Sequence, residues 1–406
     1  MADLTMPTAA QSVAPFDATG AVVRAVLAAG PLTIDEMSRR IGLPARSASD
    51  TVRLLERDGW LATRGARESG GAAVFDLRAD AAFVLGLDLG GTKLHAAVAD
   101  LRGRVVAEGV EPTDQRGGQH VVEQIGRLAD VLARRGDVPD GRIRIGAMGS
   151  PGVVDPRSGG IAIAPNIPGL DEIDVGAALK GRLGFAVAIE NDVNLAAVGE
   201  AWRGARGGAA NFAFIAVGTG IGMGIVADGE LLHGARGAAG EIAYLPLGAD
   251  PFDRRNLRLG TLETAIGSRA IVARYEALGG APGKTVRQIF DVIGTDQAAC
   301  VALDDVARIL ATAILAVHSV LDPERVVLGG SIGSRPELSA MVERHLAACM
   351  SRPVRVEISV LGSRATLTGA IGSALDSFYR SVFAIPWLRL SSSGESRTMS
   401  ADGAAR

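Results

Sequence analysis

Phe83-Val-Leu-Gly-Leu-Asp88-Leu-Gly90-Gly91-Thr92-Lys93-Leu-His-Ala-Ala-Val-Ala-Asp100 is the stretch on which the fold turns. Apolar residues alternate on both sides of a glycine turn, which predicts two strands, with Arg104 to Val110 as a third. In a dinucleotide-binding fold or a P-loop nucleoside triphosphatase the glycines open a helix whose N-terminus meets the phosphate. Here the turn leads into another strand. That argues against both folds and for a hairpin whose backbone N–H groups face phosphate oxygens.

The arrangement recurs at Phe212-Ala-Phe-Ile-Ala-Val-Gly218-Thr219-Gly220-Ile-Gly222-Met-Gly-Ile-Val226. Two such units, each opening a segment of mixed strands and helices, predict an internally duplicated α/β protein. One glycine hairpin is usually only a tight turn. Two of them, with Asp88 placed to hold magnesium and Thr219 in the second turn, make a stronger phosphate site. A third glycine site, Val326-Val-Leu-Gly329-Gly330-Ser331, follows a helix expected over Asp305–Leu321 and could receive an adenosine.

Between the hairpins, an apolar run from Phe185 to Ile189 ends in Glu190-Asn191-Asp192, before a helical pattern over Val193–Trp202. A carboxylate there can take a proton from a substrate hydroxyl, and an amide beside it can bind that hydroxyl two ways. The plainer reading is an Asp capping the next helix.

The N-terminal residues follow another pattern. Residues 1–15 are expected to form a flexible arm. An apolar-periodic helix is expected from Asp17 to Ala29. Thr33-Ile-Asp-Glu36 has the spacing of a capping box, Gly42-Leu43-Pro44 forms a turn, and a further helix runs from Ala45 to Asp58. Ile34, Met37, Ile41, Leu43, Val52, Leu54 and Leu55 are expected to face inward. Trp60–Thr63 and Ala73–Leu77 flank a glycine loop containing Arg64 and Arg67, as a wing. Residues 16–78 therefore read as a winged helix-turn-helix, with Arg46, Ser47, Ser49 and Arg53 suited to phosphates and base edges in a major groove. A unit of this shape can also serve as a protein-interaction module. The interleaved Asp50, Glu56 and Asp58 point to a dimer spanning two half-sites.

The 406 residues, 48% hydrophobic and 21% charged with net charge −3, describe a globular chain of two or three domains that is not basic throughout. Cys300 and Cys349 are read as isolated buried thiols. No signal peptide is visible. Asn211–Ala227, although uncharged, is broken by glycines and reads as two strands, so no membrane helix is expected and the protein is read as cytoplasmic. Residues 81–388 form the α/β part, and 389–406 are read as a disordered tail.

Seven blocks in order carry a resemblance: Asp88-Leu-Gly-Gly-Thr92; Gly149-Ser-Pro-Gly152 with Asp155; Pro165-Asn166; Glu190-Asn-Asp192; Gly218-Thr-Gly-Ile-Gly222; Gly237-Ala-Ala-Gly-Glu241; and Leu328-Gly-Gly-Ser331. The chain resembles the repressor, open reading frame, kinase (ROK) family over about Val84 to Leu375, with the preceding module of its regulator branch. Similar proteins are xylose- and N-acetylglucosamine-type repressors and bacterial glucokinases. The resemblance implies a two-lobed, actin-like, ribonuclease-H-like fold closing on ligand. It implies that Asn166, Asn191, Asp192, Glu241 and Glu263 bind sugar hydroxyls, with Asp192 the general base in a kinase. Asp88, Gly90, Gly91, Thr92, Lys93, Gly218, Thr219, Gly220, Gly329 and Gly330 would surround nucleotide and magnesium. The family places a His after the Gly-Glu pair and three cysteines downstream to hold zinc. Tyr244, Arg254, Asn256 and Thr261 stand there, so no zinc is expected. Tyr244 either donates a hydrogen bond to the sugar or packs.

Two readings follow. One is a sugar-responsive DNA-binding transcriptional regulator of the repressor type, acting on an operator as a homodimer or homotetramer. The other is an ATP-dependent sugar kinase using ATP and magnesium.

Overall fold

The computed structural model describes residues 15–66, 72–154, 161–162, 167–204 and 209–387. The expected flexible arm up to residue 14, Arg67, Asp155, Pro165, Asn166 and the tail lie outside the described residues. The N-terminal unit comprises α1 (Pro15–Ala29), β1 (Leu32–Thr33), α2 (Ile34–Ile41), α3 (Ala45–Arg57), β2 (Leu61–Ala66) and β3 (Ala73–Leu77). Its strands form an antiparallel sheet in the order β1-β3-β2. The capping box forms: Thr33 Oγ1 accepts from Glu36 N at 3.3 Å, and Glu36 Oε2 accepts from Thr33 N at 2.9 Å. Such a cap contributes about 1 kcal/mol. Met37, Val52 and Leu55 are buried, whereas Leu54 is 38% exposed. Its expected inward position is thus corrected: Val52 and Leu55 occupy the buried stripe of α3, and Leu54 lies about 100° from Leu55 around the helix.

The first lobe follows without a free linker. A 3-10 turn at 79–81 leads into β4 (Phe83–Leu89), β5 (Lys93–Asp100), β6 (Val105–Pro112), α4 (Gly118–Arg135) and β7 (Ile143–Ser150). A short hairpin, β8 (Val153–Val154) with β9 (Ile161–Ala162), precedes α5 (Val175–Leu183), β10 (Val187–Asn191) and α6 (Asp192–Arg203). The second lobe contains β11 (Phe212–Val217), β12 (Ile221–Ala227), β13 (Glu230–Leu231), α7 (Thr261–Ile266), α8 (Ser268–Ala277), α9 (Val286–Asp291) and α10 (Gln297–Leu321). It continues with β14 (Arg325–Gly329), α11 (Gly330–Gly333), α12 (Pro336–Cys349), β15 (Arg355–Ile358) and α13 (Ala365–Phe383). Helix α10 starts eight residues earlier than the Asp305 expected, where Asp296 caps it by accepting from Ala298 N at 2.9 Å.

The expected duplication is visible in the sheet orders, β6-β5-β4-β7-β10 and β13-β12-β11-β14-β15. In each, the first three strands are antiparallel and the fourth and fifth add in parallel. Every residue of β4 is buried: Leu85, Leu87 and Leu89 pack on the α4 side, and Val84 on the α13 side. The two final helices are exchanged. Helix α6, after the last strand of the first sheet, packs on β11 and β12; α13, after the last strand of the second, packs on β4 and β7. They cross where Gly199 meets Gly369. A Cβ at Gly369 would lie 1.8 Å from the Leu195 carbonyl oxygen, and one at Gly199 2.3 Å from that of Ala365. Only glycines allow backbones this close.

The cysteine reading needs correction. Cys300 is partly buried and Cys349 is exposed, because Cys349 ends α12 beyond the buried stripe Leu338, Val342 and Leu346. Among the described residues, no helix is long and apolar enough to cross a membrane.

Candidate functional site

The parallel pair β7–β10 brings Asn191 beside Ser150 and Glu190 beside Gly149, at the C-terminal ends of the strands. The strand runs through Asn191, and α6 begins at Asp192 with no loop between. Asn191, not Asp192, is the cap: its Oδ1 accepts from Val193 N at 2.9 Å and Asn194 N at 3.1 Å. Its Nδ2 donates to the Gly152 carbonyl at 3.0 Å. With Oδ1 serving two helix N–H groups, the two-way grip on a hydroxyl expected of this amide is not open in this arrangement; one Nδ2 hydrogen remains.

Asp192, partly buried at the first turn of α6, accepts from Val193 N at 2.9 Å. Burial, then the charges of Asp88 and Glu241, push its carboxyl up to about 7. Burial also raises Glu241, and raises Glu263 against the stabilising bond from Ile221 N. These four carboxylates thus share one electrostatic environment, rich in hydrogen-bond acceptors, which suits a neutral polyhydroxylated ligand. Glu263 is also built into the second hairpin, since Oε2 accepts from Ile221 N at 3.1 Å.

Asp88 is the penultimate residue of β4, opposite His95 in register. Burial raises it, while Lys93 and His95 pull it down; Lys93 Nζ stands 4.0 Å from Oδ2. Thr113 Oγ1 donates to the Gly90 carbonyl at 2.6 Å and Gln115 Nε2 to that of Gly91 at 3.1 Å. These bonds occupy the carbonyls around Thr92 and fix the turn. In the second turn, Gly218 N donates to the Gly220 carbonyl at 2.8 Å, across Thr219. The third glycine site adjoins it: a Cβ at Gly218 would lie 3.5 Å from Ser331 Oγ. There Gly329 closes β14 and Gly330 opens α11.

Tyr244 follows Glu241 by one 3-10 turn and is 52% exposed, so it is not a core packing residue. Its hydroxyl donates to the Arg258 carbonyl at 3.4 Å. The loop it opens lacks zinc chemistry: Asn256 Nδ2 donates to the Asp250 carbonyl at 2.8 Å and Thr261 Oγ1 to that of Leu245 at 2.9 Å. Neither amide, hydroxyl nor the Arg254 guanidinium replaces a thiolate. Among the described residues, no group of three or more His, Cys, Asp or Glu side chains could hold a metal ion.

Two features escaped the sequence. His233, after β13, lies 2.8 Å from Glu190 and so joins the second lobe to the first. Glu190 Oε1 meanwhile accepts from Asn191 N at 2.7 Å and Asn194 Nδ2 at 2.9 Å. Burial raises Glu190, but the bonds from His233, Asn194 and Asn191 outweigh it and hold the carboxyl below its ordinary value. Beneath the first hairpin, His95 Nε2 is 2.6 Å from Glu108, whose two oxygens accept from Arg364 at 2.7 Å each. Glu190 and His233 are 43 residues apart and Glu108 and Arg364 are 256 apart, so neither contact has a local sequence signal.

In the N-terminal unit, Arg46, Ser47 and Arg53 are exposed and Ser49 partly so, along α3. Arg64 is tied at 3.0 Å to Asp76, which Arg102 of the first lobe also engages.

A family model described as the ROK family matches residues 84–376. The chain is 30% identical to a glucokinase of Halalkalibacterium halodurans, over 70% of this chain and 92% of that protein. It is 23% identical to a putative xylose repressor of Caldicellulosiruptor sp., over 87% of this chain and 94% of the relative. A solved structure described as a ROK family transcriptional regulator, a homolog of the E. coli MLC protein, superposes with a TM-score of 0.75. That likeness covers 91% of this chain and 98% of the other, at 23% identity, and shows the fold.

Proposed function

This chain belongs to the ROK family, and from that premise we propose that it is a sugar-responsive transcriptional regulator of the repressor type. The observation that carries this reading is the N-terminal unit: two helices about a glycine turn, followed by a two-stranded hairpin, with Arg46 and Arg53 two turns apart on the exposed side of α3. The match to the xylose-repressor relative covers 87% of this chain, more than residues 78–406 alone, so it reaches from the lobes into the N-terminal unit. Asn166, Asn191, Asp192, Glu241, Glu263 and Tyr244 are the residues we assign to the sugar, and Arg46, Ser47, Ser49, Arg53, Arg64 and Arg67 to operator DNA. A dimer reads two half-sites, and closing of the lobes on sugar changes their spacing; the ligand works only through its differential affinity for the two states.

The lifted carboxyl of Asp192 favours a second reading, a sugar kinase, because a base near neutrality suits proton transfer from a hydroxyl. The donor set fits a nucleotide with magnesium: Asp88 would offer the cation an oxygen, and the backbone of Gly90, Gly91, Thr92, Gly218, Thr219, Gly220, Gly329 and Gly330 with Lys93 would hold the phosphates. Bound there, ATP would supply the phosphoryl group. Asp192 would hold the attacked hydroxyl and accept its proton.

Gel shifts on the chain's own upstream DNA, with a coupled kinase assay over common hexoses and pentoses, separate the two. Arg46→Ala and Arg53→Ala are expected to weaken the shift at least tenfold with sugar affinity unchanged. Turnover abolished by Asp192→Asn, without any sequence-specific shift, would reject the regulator.

A further inference from the structure

The hydrophobic core does not stop at the boundary between the N-terminal unit and the first lobe. Val22, Val26, Leu27, Leu61 and Phe75 belong to the same buried cluster as Val84, Ala97 and the α13 residues Phe378 and Phe383. Helix α13 is the common member, and its two ends are anchored to different things.

At its first turn, Thr366 Oγ1 donates to the Asp192 carbonyl at 3.1 Å, and Arg364, just before it, clamps Glu108 through two bonds. At its last turns, the Trp60 ring stands edge-on to Phe378 at 5.9 Å and to Phe383 at 5.3 Å. Helix α1 lies directly on the end of α13: a Cβ on Gly20 would come 2.6 Å from the Phe383 carbonyl oxygen. Tyr379 ties the middle of this seam, its hydroxyl donating to the Leu101 carbonyl at 2.7 Å. An ion pair from Arg102 to buried Asp76 closes it on the β3 side.

We propose that α13 is a rigid strut that makes the N-terminal unit and the first lobe a single body, running from the Asp192 carbonyl to Trp60. A module on a flexible tether would respond to the cleft only through subunit geometry. A module fused to one lobe moves with that lobe, and the cleft's movement reaches α3 through α13, a packed helix of nineteen residues, and the α1 seated on its end. The use of this body to carry a sugar signal rests on the regulator reading; the body itself does not.

Hydrogen exchange on the full chain without ligand tests the strut. The amides of α1 and α3 are expected to be protected within about tenfold of those in α13, with Trp60→Ala lowering protection in α1 and α13 together and Trp60→Phe restoring it. Exchange in α1 and α3 a hundredfold faster than in α13 would overturn the proposal, and so would a Trp60→Ala effect confined to the N-terminal unit. The wild-type comparison decides even where Trp60→Ala fails to fold. Millimolar D-xylose and D-glucose, added separately, provide the second arm. A protection change over residues 190–203 accompanied by one over 22–27 supports the strut, and a change that stops at the cleft overturns it. Silence at 190–203 with both sugars counts against sensing of these sugars, and the strut is then judged on the ligand-free comparison.

Discussion

Asp192 carries a carboxyl lifted to about 7 from an ordinary value of 3.8 by burial and by the charges of Asp88 and Glu241. A folded-state value above the unfolded one gives stability that is full below 3.8 and is lost as pH rises through about 7. His233 has the same sign: its bond to Glu190 raises it above 6.5, and that contribution is also lost as pH rises through the folded value. The ligand-free protein is therefore expected to melt lower at pH 8 than at pH 6. Asp192→Asn is expected to flatten this dependence and raise the melting temperature at pH 8 by about 2 °C or more while weakening sugar binding, as calorimetry and a binding titration would show. An unchanged pH profile would reject the assignment. The position of Asp192, at a strand end among glycine hairpins, was legible in the sequence. The capping role of Asn191 was not, since it depends on Val193, Asn194 and the distant Gly152 at once. His233 was invisible for the same reason, its partner being 43 residues away.

Helices α6 and α13 cross so closely that a single methyl group has nowhere to go. Gly369→Ala must displace the Leu195 carbonyl, and Gly199→Ala that of Ala365; each is expected to cost about 2–3 kcal/mol in denaturant unfolding. Because both act at one crossing, the double variant should cost less than the two together. Full additivity would mean that the two glycines do not share a contact. Neither residue drew notice in the sequence, where each sits in an ordinary helical pattern. Strands behaved differently: alternation around Gly90-Gly91 and Gly218–Gly220 predicted β4, β5, β11 and β12, because a hairpin's pattern is local and a helix crossing is not. Leu54 marks the limit on the helix side, since periodicity identifies a stripe but not its edge.

At the scale of the whole molecule, the duplicated order of the two sheets could be anticipated from the repeated hairpins, while the exchange of their last helices could not. The exchange leaves β4 and β7 without their α13 cover until residues 365–383 are present. A chain ending at residue 364 would uncover Val84, Ala97 and Trp60 together; it is expected to aggregate on expression, whereas a chain ending at 388 should remain folded, as size-exclusion chromatography would distinguish. This has a consequence for biosynthesis. The N-terminal unit is synthesised ahead of both lobes, yet its Trp60 and Gly20 find their partners only in α13, which follows them. The unit is thus completed after the lobes it precedes, and a chain interrupted before α13 leaves no finished N-terminal unit behind. Every copy in which that unit is fully packed has, by construction, also been translated through both lobes.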